Sequence, residues 1–271
     1  MHQARKRFGQ NFLKDDGAIH AIIQIINPSA NTQLIEIGPG LGALTLPLLN
    51  YVDHLDLLEI DRDLVAHWRA KNLPGVQVIE GDALHFDFFH WAKNSIDKGI
   101  EKGTNKDSNQ GRRLIVGNLP YNISSPLLFH LLPVAPLIDE QVFMLQAEVV
   151  ARLVAPAGSP DFSRLSVMLQ ARYEMEQVLE VPPTAFEPQP KVNSAVVRMI
   201  PRSHFSLNQH EWRALEKIVA AAFSQRRKML RTNLQSYLER LALSDAELKL
   251  RAQDIPVVRY IEWASSLAQT S

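Results

Sequence analysis

Five short apolar runs, separated by stretches of helical pattern, confine this chain to few architectures. They are "QLIEI" (33–37), "LDLLEI" (55–60), "VQVIE" (76–80), "RLIVG" (113–117) and "QVFMLQ" (141–146). Each is short and almost continuously apolar, so each reads as a strand buried on both faces. Strands of that kind alternating with helices build a parallel sheet with helices on either side. Two later runs, "YEMEQVLEV" (173–181) and "VNSAVVRMI" (192–200), are joined by Pro-rich "PPTAFEPQPK". With no helix between them, they read as an antiparallel, hairpin-like pair finishing the sheet. The expected fold is α/β, with a seven-stranded, mainly parallel sheet.

The flanking segments are less regular. Ile19, Ile22, Ile23 and Ile26 lie at i, i+3, i+4 and i+7, a helical stripe with Asp16 as its cap and Asn27-Pro28 as its stop. Residues 92–113, "AKNSIDKGIEKGTNKDSNQGRR", are polar and rich in Gly, Asn and Lys, and read as a mobile insertion loop before the fourth strand. After Pro201 the pattern is helical. Trp212, Leu215, Val219 and Ala222 form one stripe; Leu230, Leu234, Tyr237 and Leu241 form another; "SDAE" (244–247) has capping-box form. The expected division is a sheet domain over 1–202 and a small C-terminal all-helical domain over 203–271.

Composition excludes some chemistry. Among 271 residues there is no cysteine, so disulfides, thiolate metal sites and cysteine nucleophiles are ruled out. None of the nine histidines stands in a metal-ligand spacing, and no metal is expected. No apolar run approaches the ~20 residues of a membrane span. The N-terminus "MHQARKRFGQNFL" is basic but has no apolar core of a secretory signal, so a cytoplasmic protein is expected. Formal net charge is zero, from 29 basic and 29 acidic residues. Basic residues nevertheless cluster in "ARKR" (4–7) and "QRRKMLR" (225–231), as solvated helix faces or as contacts to nucleic acid.

Three strand ends carry chemistry. The first runs into "EIGPGLGALT" (36–45), where glycines let the chain turn and let a ligand approach the backbone. The helix after it would turn its unpaired N–H groups toward that ligand. The next strand ends in Glu59, about twenty residues beyond Gly38, where a carboxylate can take both hydroxyls of a ribose. An adenosine-containing cofactor follows; with Ala43 the loop also satisfies the dinucleotide pattern, so NAD stays open here. The third strand ends in "EGDAL", placing Asp82 for an adenine amine or for a helix cap.

The fourth strand ends in "GNLPYNISSP" (117–126), which offers no nucleophile, metal ligand or base. Ligands of open α/β sheets bind beyond the carboxyl ends of the strands, so Asn118 shares the crevice with Gly38, Glu59 and Asp82. Its side-chain carbonyl can accept one N–H. Pro120 stiffens the turn so that backbone carbonyls can accept a second. Tyr121 supplies a flat face. A planar amine would be held from two sides and one face.

Here the chain resembles a known family. "NLPY" is similar to the (N/D)-P-P-(Y/F) motif of methyltransferases acting on amino groups of nucleic-acid bases. With "RKRFGQNFL", "EIDRDL", "VPPTAFEPQPKVNSAVV" and "FSQRRKMLR", nearly the whole chain resembles the bacterial small-subunit ribosomal RNA adenine N6,N6-dimethyltransferases. The resemblance implies a Rossmann-like class I methyltransferase fold with S-adenosylmethionine as cofactor. It implies dimethylation of two adjacent adenosines in the 3′-terminal hairpin loop of 16S rRNA, within the small ribosomal subunit or its precursor, by a monomer. It implies that Asn11 and Leu13 close over the cofactor, that Gly38 touches it through the backbone, and that Glu59 takes the ribose and Asp82 the adenine. Asn118, with Leu119, Pro120 and Tyr121, lies between cofactor and target amine. Phe186 is the candidate for the other face of the base or for the pocket wall, or else a core residue beside the prolines. Arg5, Lys6, Arg7, Arg226, Arg227 and Lys228, with Arg231, become grips on the RNA backbone.

Three other readings compete. A large-subunit rRNA dimethyltransferase of the antibiotic-resistance type would share the cofactor site and differ in RNA; "FSQRRK" and the tail favour the small subunit. A binding factor for ribosome assembly or transcription would not need Asn118 and Tyr121 intact. An NAD oxidoreductase leaves "NLPY" without a purpose.

Overall fold

The computed structural model describes residues 9–97, 111–203 and 207–269. In chain order the strands are β1 (Phe12–Leu13), β2 (Gln33–Ile37), β3 (Leu55–Glu59), β4 (Val76–Glu80), β5 (Arg113–Asn118), β6 (Glu140–Gln146), β7 (Tyr173–Val181), β8 (Phe186–Glu187) and β9 (Ser194–Pro201). The helices are α1 (Asp16–Ile26), α2 (Thr45–Leu48), α3 (Arg62–Lys71), α4 (Phe88–Asp97), α5 (Ser124–His130), α6 (Ala147–Val154), α7 (Arg164–Gln170), α8 (Gln209–Ala222), α9 (Leu230–Asn233) and α10 (Val257–Gln269).

Seven strands form one sheet in the order β4-β3-β2-β5-β6-β9-β7. Strands β2 to β6 pair in parallel, and β9 runs antiparallel to β6. The interior strands β2, β3, β5 and β6 are buried almost throughout, which is why their sequences read as unbroken apolar runs. The edges differ. β4 is half exposed, and β7 turns Glu174, Glu176 and Glu180 to solvent. Charges on an edge strand discourage pairing with another chain. After β2 the chain builds outward through β3 and β4, then returns to lay β5 on the other side of β2. That reversal opens a crevice between the carboxyl ends of β2 and β5.

By compactness the chain forms two units. One runs to Val150 and resumes over Glu176–Pro201; the other joins Ala151–Met175 to the residues from Arg202 on. The sequence expectation placed 151–175 in the sheet domain. The structure groups them with the tail, because α7 packs on α8 and α10 and the backbone of Arg172 bonds that of Arg202. This second unit has its own core. Phe162, Phe223, Tyr260 and Trp263 form a chain of ring contacts at 6.4, 6.1 and 5.3 Å, beside buried Leu215, Ile218 and Val219.

Three local expectations are corrected, and one, the stop of α1 at Asn27, is met. The cap of α1 is Asp15, whose side chain accepts from Ala18 N–H, while Asp16 is the first helical residue. The helix ends at Asn27 in the left-handed region, φ +45°. Residues 92–97, expected as insertion loop, continue α4, and Arg113 already belongs to β5; residues 98–110 lie outside the described part. The stripe from Leu230 to Leu241 is not one helix. Asn233 Nδ2 donates to the carbonyls of Ala222 and Gln225, and the chain breaks into α9 and a 3-10 turn, still burying Leu230, Leu234 and Leu241. Among the described residues no helix is long and apolar enough to cross a membrane.

Candidate active site

A cavity of about 320 Å³ opens beyond the carboxyl ends of β2 to β5. Its walls are the glycine loop, Glu59 and Ile60, residues 81–84, residues 9–13, and the turn 118–123. The three loop glycines have positive φ, +68°, +55° and +96° for Gly38, Gly40 and Gly42, and their surroundings differ. A Cβ on Gly38 would have nothing within 4 Å, so its backbone is open for a ligand to approach. A Cβ on Gly40 would lie 3.1 Å from the Phe12 ring, and one on Gly42 only 2.6 Å from Trp68 Cη2. Trp68, buried on α3, braces the loop from beneath and donates its indole N–H to Gly40 O at 3.0 Å.

The helix after the loop, α2, is a single turn. The loop is therefore clamped by side chains. Thr45 Oγ1 donates to Glu36 Oε2 at 2.6 Å, joining the two ends of "EIGPGLGALT". Burial raises Glu36 to about 7, against the Thr45 hydrogen bond that lowers it and with the charge of Glu59 raising it further.

Glu59 is aimed by backbone. Its Oε1 accepts from the N–H groups of Ile60 and Asp61, both at 2.9 Å, and its Oε2 from Gly40 N–H at a long 3.4 Å. Burial still raises its pKa, outweighing those bonds. The long contact leaves Oε2 the less satisfied oxygen of a residue that lines the cavity. Asp82 also lines the cavity while ordering its own turn: Oδ1 accepts from Leu84 N–H at 2.9 Å, and Oδ2 lies 2.9 Å from His85 Nδ1. The turn that Asp82 orders is not helical, so the cap expected of it falls instead to Asp87, whose Oδ1 accepts from His90 N–H at 2.8 Å beside the start of α4.

The segment "QNFL" is tied down as a short strand. β1 pairs antiparallel with β8, Phe12 opposite Glu187 and Leu13 opposite Phe186. Gln10 Nε2 reaches Asp61 Oδ2 at 3.3 Å. Asn11 and Leu13 stand in the cavity wall. Asn118 binds this segment directly, its Nδ2 donating to Asn11 O at 3.1 Å.

That bond orients the amide. With Nδ2 engaged, Oδ1 is left as an acceptor that no donor of the described residues occupies. The carbonyl of Pro120 is taken, by Ile123 N–H at 3.2 Å and Ser124 Oγ at 3.1 Å. Leu119 donates its N–H to Met144 O at 3.1 Å, and its own carbonyl receives no donor of the described residues. Two acceptors of this turn therefore have no donor among the described residues. Tyr121 completes it. Half-buried in the cavity wall, it places its hydroxyl 2.8 Å from Ser194 Oγ.

Phe186 is not part of the cavity. It is 1% exposed within the core of the sheet unit, held opposite Leu13 by the β1–β8 ladder. The stacking role considered for it gives way to the core reading, because a ring with no exposed face cannot receive a base. Arg5, Lys6 and Arg7 lie outside the described residues. Arg226, Arg227 and Lys228 are exposed, and Arg226 Nη2 donates to Pro160 O. Sequence reasoning missed Gln10, Trp68 and Ser194. Nothing local marks them: Trp68 reads as helix core, and Ser194 lies 73 residues from the tyrosine it meets.

A fully parallel dinucleotide-binding sheet has no reversed strand. Here β9 enters between β6 and β7, antiparallel to β6. This sheet and site define a class I S-adenosylmethionine-dependent methyltransferase, and the NAD reading is set aside. The chain belongs to the ribosomal RNA adenine dimethylase family, whose model matches residues 1–268. It is 48% identical over 272 residues to "Ribosomal RNA small subunit methyltransferase A" of Bordetella petrii, covering 99% of this chain and 97% of that one. It is 52% identical to the protein of the same name from Ralstonia nicotianae, covering 98% and 91%. A crystal structure of a dimethyladenosine transferase from Plasmodium falciparum shares the fold, with a TM-score of 0.71 at 22% identity over 93% of this chain and 95% of that one.

Proposed function

We propose that this enzyme dimethylates N6 of two adjacent adenosines in the 3′-terminal hairpin loop of 16S rRNA, within the small ribosomal subunit or its precursor. The observation that carries the reading is the pair of acceptors, Asn118 Oδ1 and Leu119 O, at the end of β5. An adenine amine carries two N–H groups and a lone pair delocalised into the ring. Holding both N–H groups in hydrogen bonds draws the nitrogen toward tetrahedral geometry and frees the lone pair. After one methylation a single N–H remains, and one acceptor still holds it. No base is needed at the turn, because the methylated amine is cationic and loses its proton to water, and positioning and electrostatics do the work.

The residues present fit S-adenosylmethionine: an open backbone at Gly38, a rigid carboxylate at Glu59, Asp82 beyond β4, and Asn11 and Leu13 closing the near side. When bound, it supplies an already activated methyl group. The target base must leave its stack to reach the cavity, and Tyr121 offers it a face worth ~1–3 kcal/mol. Arg5, Lys6, Arg7, Arg227 and Lys228 contact phosphates and set the position of the RNA without reading its sequence. The enzyme is read as acting as a monomer. An RNA substrate of this kind places the enzyme in the bacterial cytoplasm.

The test supplies labelled S-adenosylmethionine with unmethylated small subunits, large-subunit RNA or DNA, followed by nucleoside analysis. Dimethyladenosine from small subunits alone is expected, and Asn118→Ala should abolish it while melting normally. Label in large-subunit RNA would replace this reading with the resistance-type activity. Near-normal turnover of Asn118→Ala would sink the mechanism.

A further inference from the structure

We propose that Ser194 is a positioning residue for methyl transfer, anchoring the ring of Tyr121 so that the target adenine meets Asn118 Oδ1 and Leu119 O in register. The proposal rests on the function above and extends it to a residue 73 positions away in sequence. The backbone of the 118–124 turn is already fixed, by Leu119 N–H to Met144 O and by the two donors on Pro120 O. Those bonds leave the tyrosine ring unfixed, since an aromatic side chain still turns about its own torsions. The hydroxyl at its far end provides the missing point.

Ser194 is suited to hold it. It is fully buried, at 0% exposure, as the first residue of β9. It stands opposite Gln146, the last residue of β6, and the neighbouring Asn193 carbonyl accepts from Ala147 N–H at 2.9 Å. Its Cα is therefore fixed by the sheet, and burial leaves the side chain little room to turn. Among the described residues its Oγ has one partner, the Tyr121 hydroxyl. A buried hydroxyl whose single bond reaches into a cavity wall is poorly explained by strand packing, where an alanine would serve. The ring that results has one end in the protein interior and a face toward the cavity. A base stacked on it inherits that plane, and a small tilt would carry N6 away from both acceptors while leaving the base bound.

Removing either hydroxyl should therefore lower kcat, on the order of tenfold for a misplacement well under 1 Å, with little change in RNA affinity. The experiment is a double-mutant cycle on Ser194→Ala and Tyr121→Phe, measuring kcat and KM for small subunits, S-adenosylmethionine affinity and Tm. Tyr121→Phe keeps the stacking ring and loses only the anchor. We expect each single variant to lose kcat while retaining cofactor affinity and Tm, and the double variant to be no worse than either. Losses that multiply would mean that the two hydroxyls act separately, and would overturn the assignment. If Ser194→Ala fails to fold, wild-type kcat in Tyr121→Phe overturns it equally. Wild-type protein that methylates no RNA would instead refute the function; wild-type transfer with an unaffected Ser194→Ala refutes the role of Ser194 alone.

Discussion

Replacing Gly42 by alanine tests how the glycine loop is built. Gly42 has φ +96°, beyond the left-handed well that other residues occasionally occupy. Forcing a Cβ-bearing residue to stay there costs about 1–3 kcal/mol. The new methyl would also lie 2.6 Å from Trp68 Cη2, 2.8 Å from Cζ2 and 3.3 Å from Leu46 Cγ. Carbon atoms in contact prefer roughly 3.5–4 Å, so about 1 Å must be found. Trp68 cannot yield it cheaply, being 1% exposed and bonded to Gly40 O at 3.0 Å. Overpacking of this kind costs about 1–3 kcal/mol. Together the two effects come to roughly 2–6 kcal/mol, a large part of the 5–15 kcal/mol that holds a typical domain together. Thermal melting with and without S-adenosylmethionine, and calorimetric cofactor affinity, would both report it. Gly42→Ala should melt several degrees lower and bind cofactor poorly, since the loop moves where the indole does not. Trp68→Phe removes the outer ring atoms, so the double variant should be more stable than the two single effects added together. Wild-type Tm and affinity in Gly42→Ala, or simple additivity in the double variant, would refute the reasoning.

Gly38→Ala should behave differently: the left-handed backbone costs about 1–2 kcal/mol of stability, but the methyl projects into open space, so cofactor affinity should fall out of proportion to Tm. Equal losses in the two measurements would contradict this. Glu36, raised by burial from 4.5 to about 7, binds its proton more tightly folded than unfolded, so stability falls as pH rises from about 4.5 to 7. The fall is on the order of 3 kcal/mol; Glu36→Gln, which keeps an acceptor for Thr45, should flatten it, and an unchanged slope of Tm against pH would count against it. Neutralising exposed Arg227 and Lys228 should weaken RNA binding and reduce its logarithmic salt slope by about 0.7–0.9 per lost phosphate contact, leaving cofactor binding intact. Arg226 is best left in place because it also braces Pro160; a salt slope equal to the wild type would remove this surface from the RNA footprint.

The periodicity of the chain determined a good deal by itself. The bounds of β2, β4 and β7 coincide with "QLIEI", "VQVIE" and "YEMEQVLEV", and those of β3, β5 and β6 differ from the apolar runs by a residue. A strand covered on both faces needs apolar residues throughout, and that requirement is written locally. The residues of the crevice were legible for the same reason. Gly38, Glu59, Asp82 and Asn118 each end a strand or stand just beyond one, and a parallel sheet gathers its strand ends on one edge.

Tertiary structure decided which distant segments meet. That β9 enters antiparallel between β6 and β7, that "FL" at 12–13 pairs with "FE" at 186–187, and that residues 151–175 join the tail are pairings across long separations. They depend on which buried surfaces fit together, a property of the whole packed chain that leaves no periodic mark in any one segment. The same holds for side chains. Phe186 beside its prolines reads equally as cavity wall or core, and the ladder with Leu13 makes it core. Leu230 to Leu241 keeps a helical stripe, yet side-chain bonds from Asn233 to the end of α8 outweigh the weak propensity of a short helix. Ser194 has no local reason to be noticed; it becomes functional because two strands, distant in sequence, end where one tyrosine begins.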